Sequence, residues 1–219
     1  MKRFPSKLIK SLDKRVQNNS LRELKIAGEG VDFYSNDYLG FASSHAIFSK
    51  AQKLCETYNL KQNGATGSRL ISGNHQLYQI TEDFLAAFHQ TEAALMFNSG
   101  YDANIGFFSS VPQKGDLIFF DELIHASIRD GISMSTAKAY KFKHNDIDDL
   151  QDKVSRHDFK EDSSIYVVTE AVFSMDGDLA PLLQLASLCN ENNFYLIVDE
   201  AHSTGVFGDH GQGLVTQLR

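Results

Sequence analysis

Apolar and polar positions follow two different periods along this chain. Near the amino terminus Leu8, Leu12 and Leu24, with Arg15 among them, recur at helical spacing, so residues 4–27 are expected to form a helical arm. "VDFYSNDYLGF" then alternates briefly and breaks at Asn36, Asp37 and Gly40. Residues 44–60 read as a helix and the glycine-rich "KQNGATGSRLISGNH" as a loop. Leu77, Ile80, Phe84, Leu85 and Phe88 mark the apolar face of a further helix.

Beyond that point short apolar runs alternate with helical patterns. "AALMF" precedes "NSGYDANIGFF", "DLIFFDE" precedes "LIHASIRDGISMS", and the weaker "KAYKF" precedes "NDIDDLQDKV", whose opening Asn or Asp is a capping residue. "SIYVVTEA" precedes "PLLQLASLCNEN", with Pro181 expected at the first helical position, and "FYLIVDEA" is the last run. Continuous apolar strands alternating with helices predict an α/β fold, a mostly parallel central sheet covered on both faces. The expected division is a helical arm and entry segment over residues 1–43 and one large domain over 44–219. No internal repeat or low-complexity tract interrupts it.

Composition narrows the function classes. Hydrophobic residues make up 42% and charged residues 22% of the 219, an ordinary globular balance. A formal net charge of -7 argues against a general nucleic-acid binder. No apolar run approaches the roughly 20 residues that span a bilayer. The basic start "MKRFPSKLIK" is followed by no apolar signal core, so a cytoplasmic protein without membrane contact is expected. Cys55 and Cys189 both fall in helical patterns and read as reduced core thiols.

Ligands of open α/β sheets bind beyond the carboxyl ends of the strands. Asn98, Ser99, Gly100 and Tyr101 follow "ALMF"; Asp121, Glu122 and His125 follow "LIFF". Glu170, Ser174, Asp176 and Asp178 follow "YVVT", and Asp199, Glu200 and His202 follow "YLIV". Several polar groups are therefore expected to converge on one rim. The glycine turn and helix start of "NSGYDAN" offer free backbone N–H groups to an anion such as phosphate, although a plain turn has the same pattern. A carboxylate at the end of so apolar a strand as that of Asp199 is costly unless paired. Its partner could be a cationic ring nitrogen of a cofactor or a structural salt bridge. His125 could equally be a satisfied core histidine. His202, His210 and Asp199 fit no familiar metal spacing. "DEAH" is also a magnesium-binding signature of a helicase family, but no G-x-x-x-x-G-K-[ST] phosphate loop accompanies it, which excludes that class.

Taken together, "SNDYLG" (35–40), "GSRLISGNH" (67–75), "NSGYDAN" (98–104), "DELIHAS" (121–127), "TEAVFSMDGDLAPL" (169–182) and "VDEAHSTGVFGDHGQG" (198–213) resemble the α-oxoamine synthases, pyridoxal-phosphate enzymes of the fold-type I aminotransferase-like class. The resemblance covers nearly the whole chain in order. It implies that residues 44–219 are an incomplete cofactor-binding large domain. It implies that Asp199 pairs with the pyridinium nitrogen, His202 bonds the ring's phenolic oxygen, and Gly100 and Tyr101 lie near the phosphate. Ser174 contacts the cofactor. His125 is the candidate catalytic residue, stacking over the ring and orienting the substrate, and Arg22 on the arm meets the acyl substrate.

The implied reaction is a decarboxylating condensation of an amino acid with an acyl thioester. "SNDYLG", "MDGDLAPL" and the "LREL" arm lean towards the branch that joins L-alanine to a pimeloyl thioester in biotin synthesis. Branches using glycine or serine with acetyl, succinyl or palmitoyl thioesters share much of the pattern. The resemblance also implies a homodimer in which the glycine-rich loop reaches the neighbouring site. One departure stands out: the family's cofactor-anchoring lysine lies a few dozen residues beyond the "DEAH" histidine. Lys138, Lys141 and Lys143 match no such motif, so the 219-residue chain alone is expected to be inactive, or else a remnant that only folds or associates.

Overall fold

The computed structural model describes residues 4–24, 30–60 and 62–218. Residues 25–27 of the expected arm and Lys61 of the expected loop lie outside them. The chain divides into two units, Met1–Ser35 and Asn36–Arg219.

In the first unit α1 spans Ser6–Gln17, shorter than the arm expected from spacing. Asn18 caps it and Asn19 takes φ 51, a left-handed conformation that asparagine tolerates and a helix cannot continue through. Leu24, counted as part of the helical stripe, lies beyond that stop and is fully exposed.

The second unit opens with α2 (His45–Thr57), whose N-cap Ser44 accepts from the Ile47 N–H, and α3 (Gln76–His89). The loop between them tightens into one π turn at Arg69–Gly73. Then α4 (Gly100–Ser110), β1 (Leu117–Asp121), α5 (Ala126–Met134), β2 (Lys138–Phe142), α6 (Ile147–Ser155), β3 (Ile165–Glu170), α7 (Leu182–Asn192), β4 (Tyr195–Asp199) and the short α8 (Leu214–Gln217) follow. Asp146 caps α6 as expected, accepting from the Asp149 N–H at 2.8 Å. Pro181 sits one place earlier than expected, at the N-cap of α7.

The four strands are parallel in the order β2-β1-β3-β4. Alternate residues face opposite sides, which sorts the core into two layers. Leu117, Phe119, Ile165 and Val167 pack with Leu150 of α6 and Leu182 and Leu185 of α7. Ile118, Tyr166 and Val168 pack with Phe108 of α4 and Ile128 of α5. The chain leaves β1 towards β2 on one side and returns to β3 on the other. That reversal of strand order opens a crevice at the strands' carboxyl ends.

The run "AALMF" is a correction. It forms no strand among the described residues, and Leu95 and Phe97 are 66% and 43% exposed. A strand exists only when its backbone groups find a ladder partner, and here no described strand pairs with it.

Candidate active site

The crevice holds a cavity of about 480 Å³ lined by Gly100, Tyr101, Asn104, His125, Glu170, Asp199 and His202, among others. They arrive from five places: the first turns of α4 bring Gly100, Tyr101 and Asn104, and the β1–α5 connection, the ends of β3 and β4, and the turn after β4 bring one each. Seven of the residues singled out from sequence, Gly100, Tyr101, His125, Glu170, Asp199, Glu200 and His202, are therefore brought together.

Asp199 is half-buried at the end of β4. Its Oδ2 accepts from Asn104 Nδ2 at 2.8 Å and its Oδ1 from the Ala201 N–H at 2.9 Å. These bonds fix the carboxylate's orientation. The adjacent Glu200 serves the fold instead. Its Oε1 accepts from Ser203 Oγ at 2.8 Å and from the Val215 N–H at 2.9 Å, tying down α8.

His125 is exposed at the rim rather than buried in the core. It also caps α5, its Nδ1 accepting from the Ser127 N–H at 3.2 Å, which leaves the proton on Nε2. Ser127 Oγ lies 2.8 Å from the same nitrogen and 3.0 Å from Asn104 Nδ2. Polar contacts thus run unbroken from His125 through Ser127 and Asn104 to Asp199. His202 Nδ1 is 2.6 Å from the Tyr38 hydroxyl. With that hydroxyl donating, Nε2 carries the imidazole proton.

Gly100 and Tyr101 start α4, where Ser99 caps by accepting from the Asp102 N–H at 3.0 Å. Their backbone N–H groups precede the first ladder bond, from Ala103 to Ser99. The Tyr101 ring meets His125 edge-on at 6.3 Å, and its hydroxyl donates to Asp130.

Glu170 is 3% exposed at the end of β3. Burial first and neighbouring Asp199 second push its carboxyl up to about 7.

Two expectations of the second unit fall elsewhere. Ser174 is exposed and lines an adjoining hollow that shares only His202 and Tyr38 with the groups above. Its loop turns away after β3, where Phe173 N–H bonds Asp178 and anchors it. Asp121 and Asp178 do not reach the cavity, because His144 binds both, Nδ1 to Asp121 at 3.0 Å and Nε2 to Asp178 at 2.6 Å. Burial opposes the charge on His144, but the two acids outweigh it and raise its pKa. Arg22 belongs to the first unit, where it lines an open concavity with Arg15, Asn19, Ser20 and Leu21. No metal-holding group of His, Cys, Asp or Glu occurs among the described residues.

Sequence reading gave no role to Asn104, Ser127 or Tyr38, and placed Glu170 only among the polar groups of the rim. Asn104 had a signal, one helical turn after Gly100 and so on the same face of α4. Tyr38 had none, since only folding brings it 164 positions along the chain to His202.

Residues 29–218 match the family described as aminotransferase class I and II. The chain belongs to this aminotransferase class I and II family. Within it the likeness is to the α-oxoamine synthases. The chain is 42% identical over 192 residues to 8-amino-7-oxononanoate synthase 2 of Bacillus subtilis strain 168, covering 87% of this chain and 48% of that one. The 8-amino-7-oxononanoate synthase structure from Francisella tularensis has 34% identity and a TM-score of 0.68, over 86% of this chain and 50% of its own. The serine palmitoyltransferase of S. paucimobilis, solved with a pyridoxal phosphate–myriocin adduct bound, has 28% identity and a TM-score of 0.82, over 97% of this chain and 57% of its own. This aminotransferase-family chain thus spans about half the length of the relatives it matches.

The donor set suits pyridoxal phosphate. A carboxylate held by two N–H donors faces the cavity, two imidazoles with a proton on Nε2 flank it, and a helix start supplies backbone N–H groups for an anion.

Proposed function

We propose that this chain is the cofactor-binding part of an α-oxoamine synthase that condenses L-alanine with a pimeloyl thioester, with decarboxylation, to give 8-amino-7-oxononanoate in the cytoplasm. The observation that carries the reading is Asp199, oriented by Asn104 and the Ala201 N–H at the end of an apolar strand and facing the cavity it shares with His125 and His202. Bound pyridoxal phosphate supplies an electron sink for a carbanion at the amino acid's α-carbon. This chain's own residues would hold that group and orient the substrate. Asp199 holds a proton on the ring nitrogen, and His202, with Tyr38 behind it, donates from Nε2 to the ring oxygen. His125 covers the ring and orients the amino acid, while its Nδ1 stays committed to the α5 cap. The Gly100 and Tyr101 N–H groups hold the phosphate, Ser174 adds a contact from the adjoining hollow, and Arg22 pairs with an anionic group of the acyl thioester.

A second reading, condensation of serine with a palmitoyl thioester, is favoured by one observation: the serine palmitoyltransferase superposes over more of the chain than the oxononanoate synthase does. Assay of the full-length protein with L-alanine, glycine and L-serine, each against pimeloyl, acetyl, succinyl and palmitoyl thioesters, decides between them. Preference for alanine with the pimeloyl thioester supports the first reading; preference for serine or glycine overturns it. No lysine is among the residues lining the cavity. Borohydride reduction of the 219-residue chain with pyridoxal phosphate, followed by peptide mapping, is therefore expected to find no stoichiometric lysine adduct, and the chain alone to form no product.

A further inference from the structure

Glu170 and Asp199 are register partners across the β3–β4 pair, and both line the same cavity. Facing residues of neighbouring strands point to the same side of a sheet, so two acids stand side by side at a largely buried strand end. Their supports differ. Asp199 has the Asn104 side chain and the Ala201 N–H. Glu170 is more deeply buried, and around it are the His125 N–H from the β1–α5 connection, Arg129 of α5, and the acids Asp121 of β1 and Asp199 of β4. Arg129 is committed elsewhere, donating to the Glu122 carbonyl at 2.6 Å. Like charges side by side disfavour ionising both, and the more buried, less supported Glu170 is the one that keeps a proton. Burial and Asp199 push Glu170 in that same direction.

We propose that Glu170 is a positioning residue that stores one proton beside Asp199 while no cation occupies the cavity, and gives it up when a cationic ring nitrogen pairs with Asp199. The balance closes simply. Before docking, the two carboxyls carry one negative charge and one proton. Afterwards two carboxylates face one ring cation, so the net charge of the strand ends is unchanged. Only the Glu170 O–H bond breaks, its proton passes to solvent, and no electrons are transferred. This deepens the pyridoxal-phosphate reading above and rests on it for the identity of the cation.

The test begins without cofactor. The Glu170 carboxyl carbon-13 resonance of the chain, assigned by its loss in Glu170→Gln, is followed from acid to neutral pH. Titration near neutrality supports proton storage; titration in the ordinary carboxylate range overturns it. Pyridoxal phosphate is then titrated into wild type and Glu170→Gln by calorimetry, in buffers of different ionisation enthalpy, at about pH 6.5. The difference between the two proteins isolates the Glu170 proton from any taken up by the ring. Wild type is expected to release most of one proton more, and the wild-type to Gln affinity ratio to rise with pH by up to about tenfold per unit below about pH 7 and to flatten above it. Equal proton counts and a flat ratio overturn the release step. Glu170→Asp, which keeps a carboxyl, is expected to restore part of the slope, which a merely space-filling role would not. Absence of pyridoxal phosphate binding to both proteins overturns the cofactor reading and the release step with it. The carbon-13 titration still decides proton storage independently.

Discussion

At the scale of single residues, the side chains behind Asp199 matter as much as Asp199 itself. A charge-assisted hydrogen bond contributes about 1.5–3 kcal/mol. Asp199→Asn is therefore expected to weaken pyridoxal phosphate binding by about 10- to 100-fold, because the amide cannot hold a ring cation. Asn104→Ala should cost less, since the Ala201 N–H still orients one oxygen. Spectrophotometric titration measures both, and an Asn104→Ala loss equal to that of Asp199→Asn would make the relay, not the charge, the decisive element. Two other acids titrate in opposite senses. Glu82 is paired with Arg69 through both oxygens and accepts the Met96 N–H, and Arg69 above all lowers its carboxyl from 4.5 to about 2. A lowered carboxyl adds stability that is present above its unfolded value and lost as pH falls through 4.5 towards 2. Glu170 is raised from 4.5 to about 7, so its proton adds stability that is full below 4.5 and lost as pH rises through 7. Denaturant unfolding across pH should show Glu82→Gln closing on wild type in acid, and Glu170→Gln gaining on wild type as pH rises from 4.5 to about 7.

At the scale of elements, helix packing and site geometry are coupled at one contact. A Cβ added to Gly131 of α5 would meet the Asn104 carbonyl oxygen of α4 at 2.8 Å, with Phe108 Cβ at 3.0 Å and Ile105 Cα at 3.1 Å. Two of these are backbone atoms and cannot swing aside. Gly131→Ala is thus expected to force α4 away, to destabilise the chain by about 1–3 kcal/mol, and to loosen the Asn104–Asp199 bond with it. Denaturant unfolding reads the first effect and cofactor titration the second; an unchanged affinity would uncouple packing from the site. The same element pair shows what was legible beforehand. Strands β1 to β4 and helices α3 to α7 were readable because buried parallel strands are apolar without interruption and helices repeat every three to four residues. The run "AALMF" has the composition of a buried strand, yet strand formation depends on a partner elsewhere in the chain, which no local pattern reports. The site divides in the same way. Asp199, His202 and His125 were legible because they follow strands. Tyr38 and the Glu170–Asp199 pairing depend on register and long-range contact.

At the scale of the whole molecule, the loop before α3 combines a rigid backbone with exposed apolar side chains. Leu70 is 100% and Ile71 87% exposed. The Thr66 hydroxyl donates to the Ser72 carbonyl at 2.6 Å, the Arg69 fork grips Glu82, and the Arg69 guanidinium stacks on the Tyr78 ring at 4.2 Å. A Cβ at Gly73 would lie 1.8 Å from the Gly67 carbonyl oxygen, so the two ends of the turn touch backbone to backbone. A loop held this firmly loses little entropy on association, and two bare aliphatic side chains at its tip gain from being covered. We propose a second copy as the cover, with each loop packing on the neighbouring protomer. Light scattering of the full-length protein is expected to report a dimer, and Leu70→Asp with Ile71→Asp to shift it towards monomer, because each substitution would bury an unpaired charge. A wild-type monomer at high concentration, or a double variant that stays fully dimeric, would move the interface away from this loop.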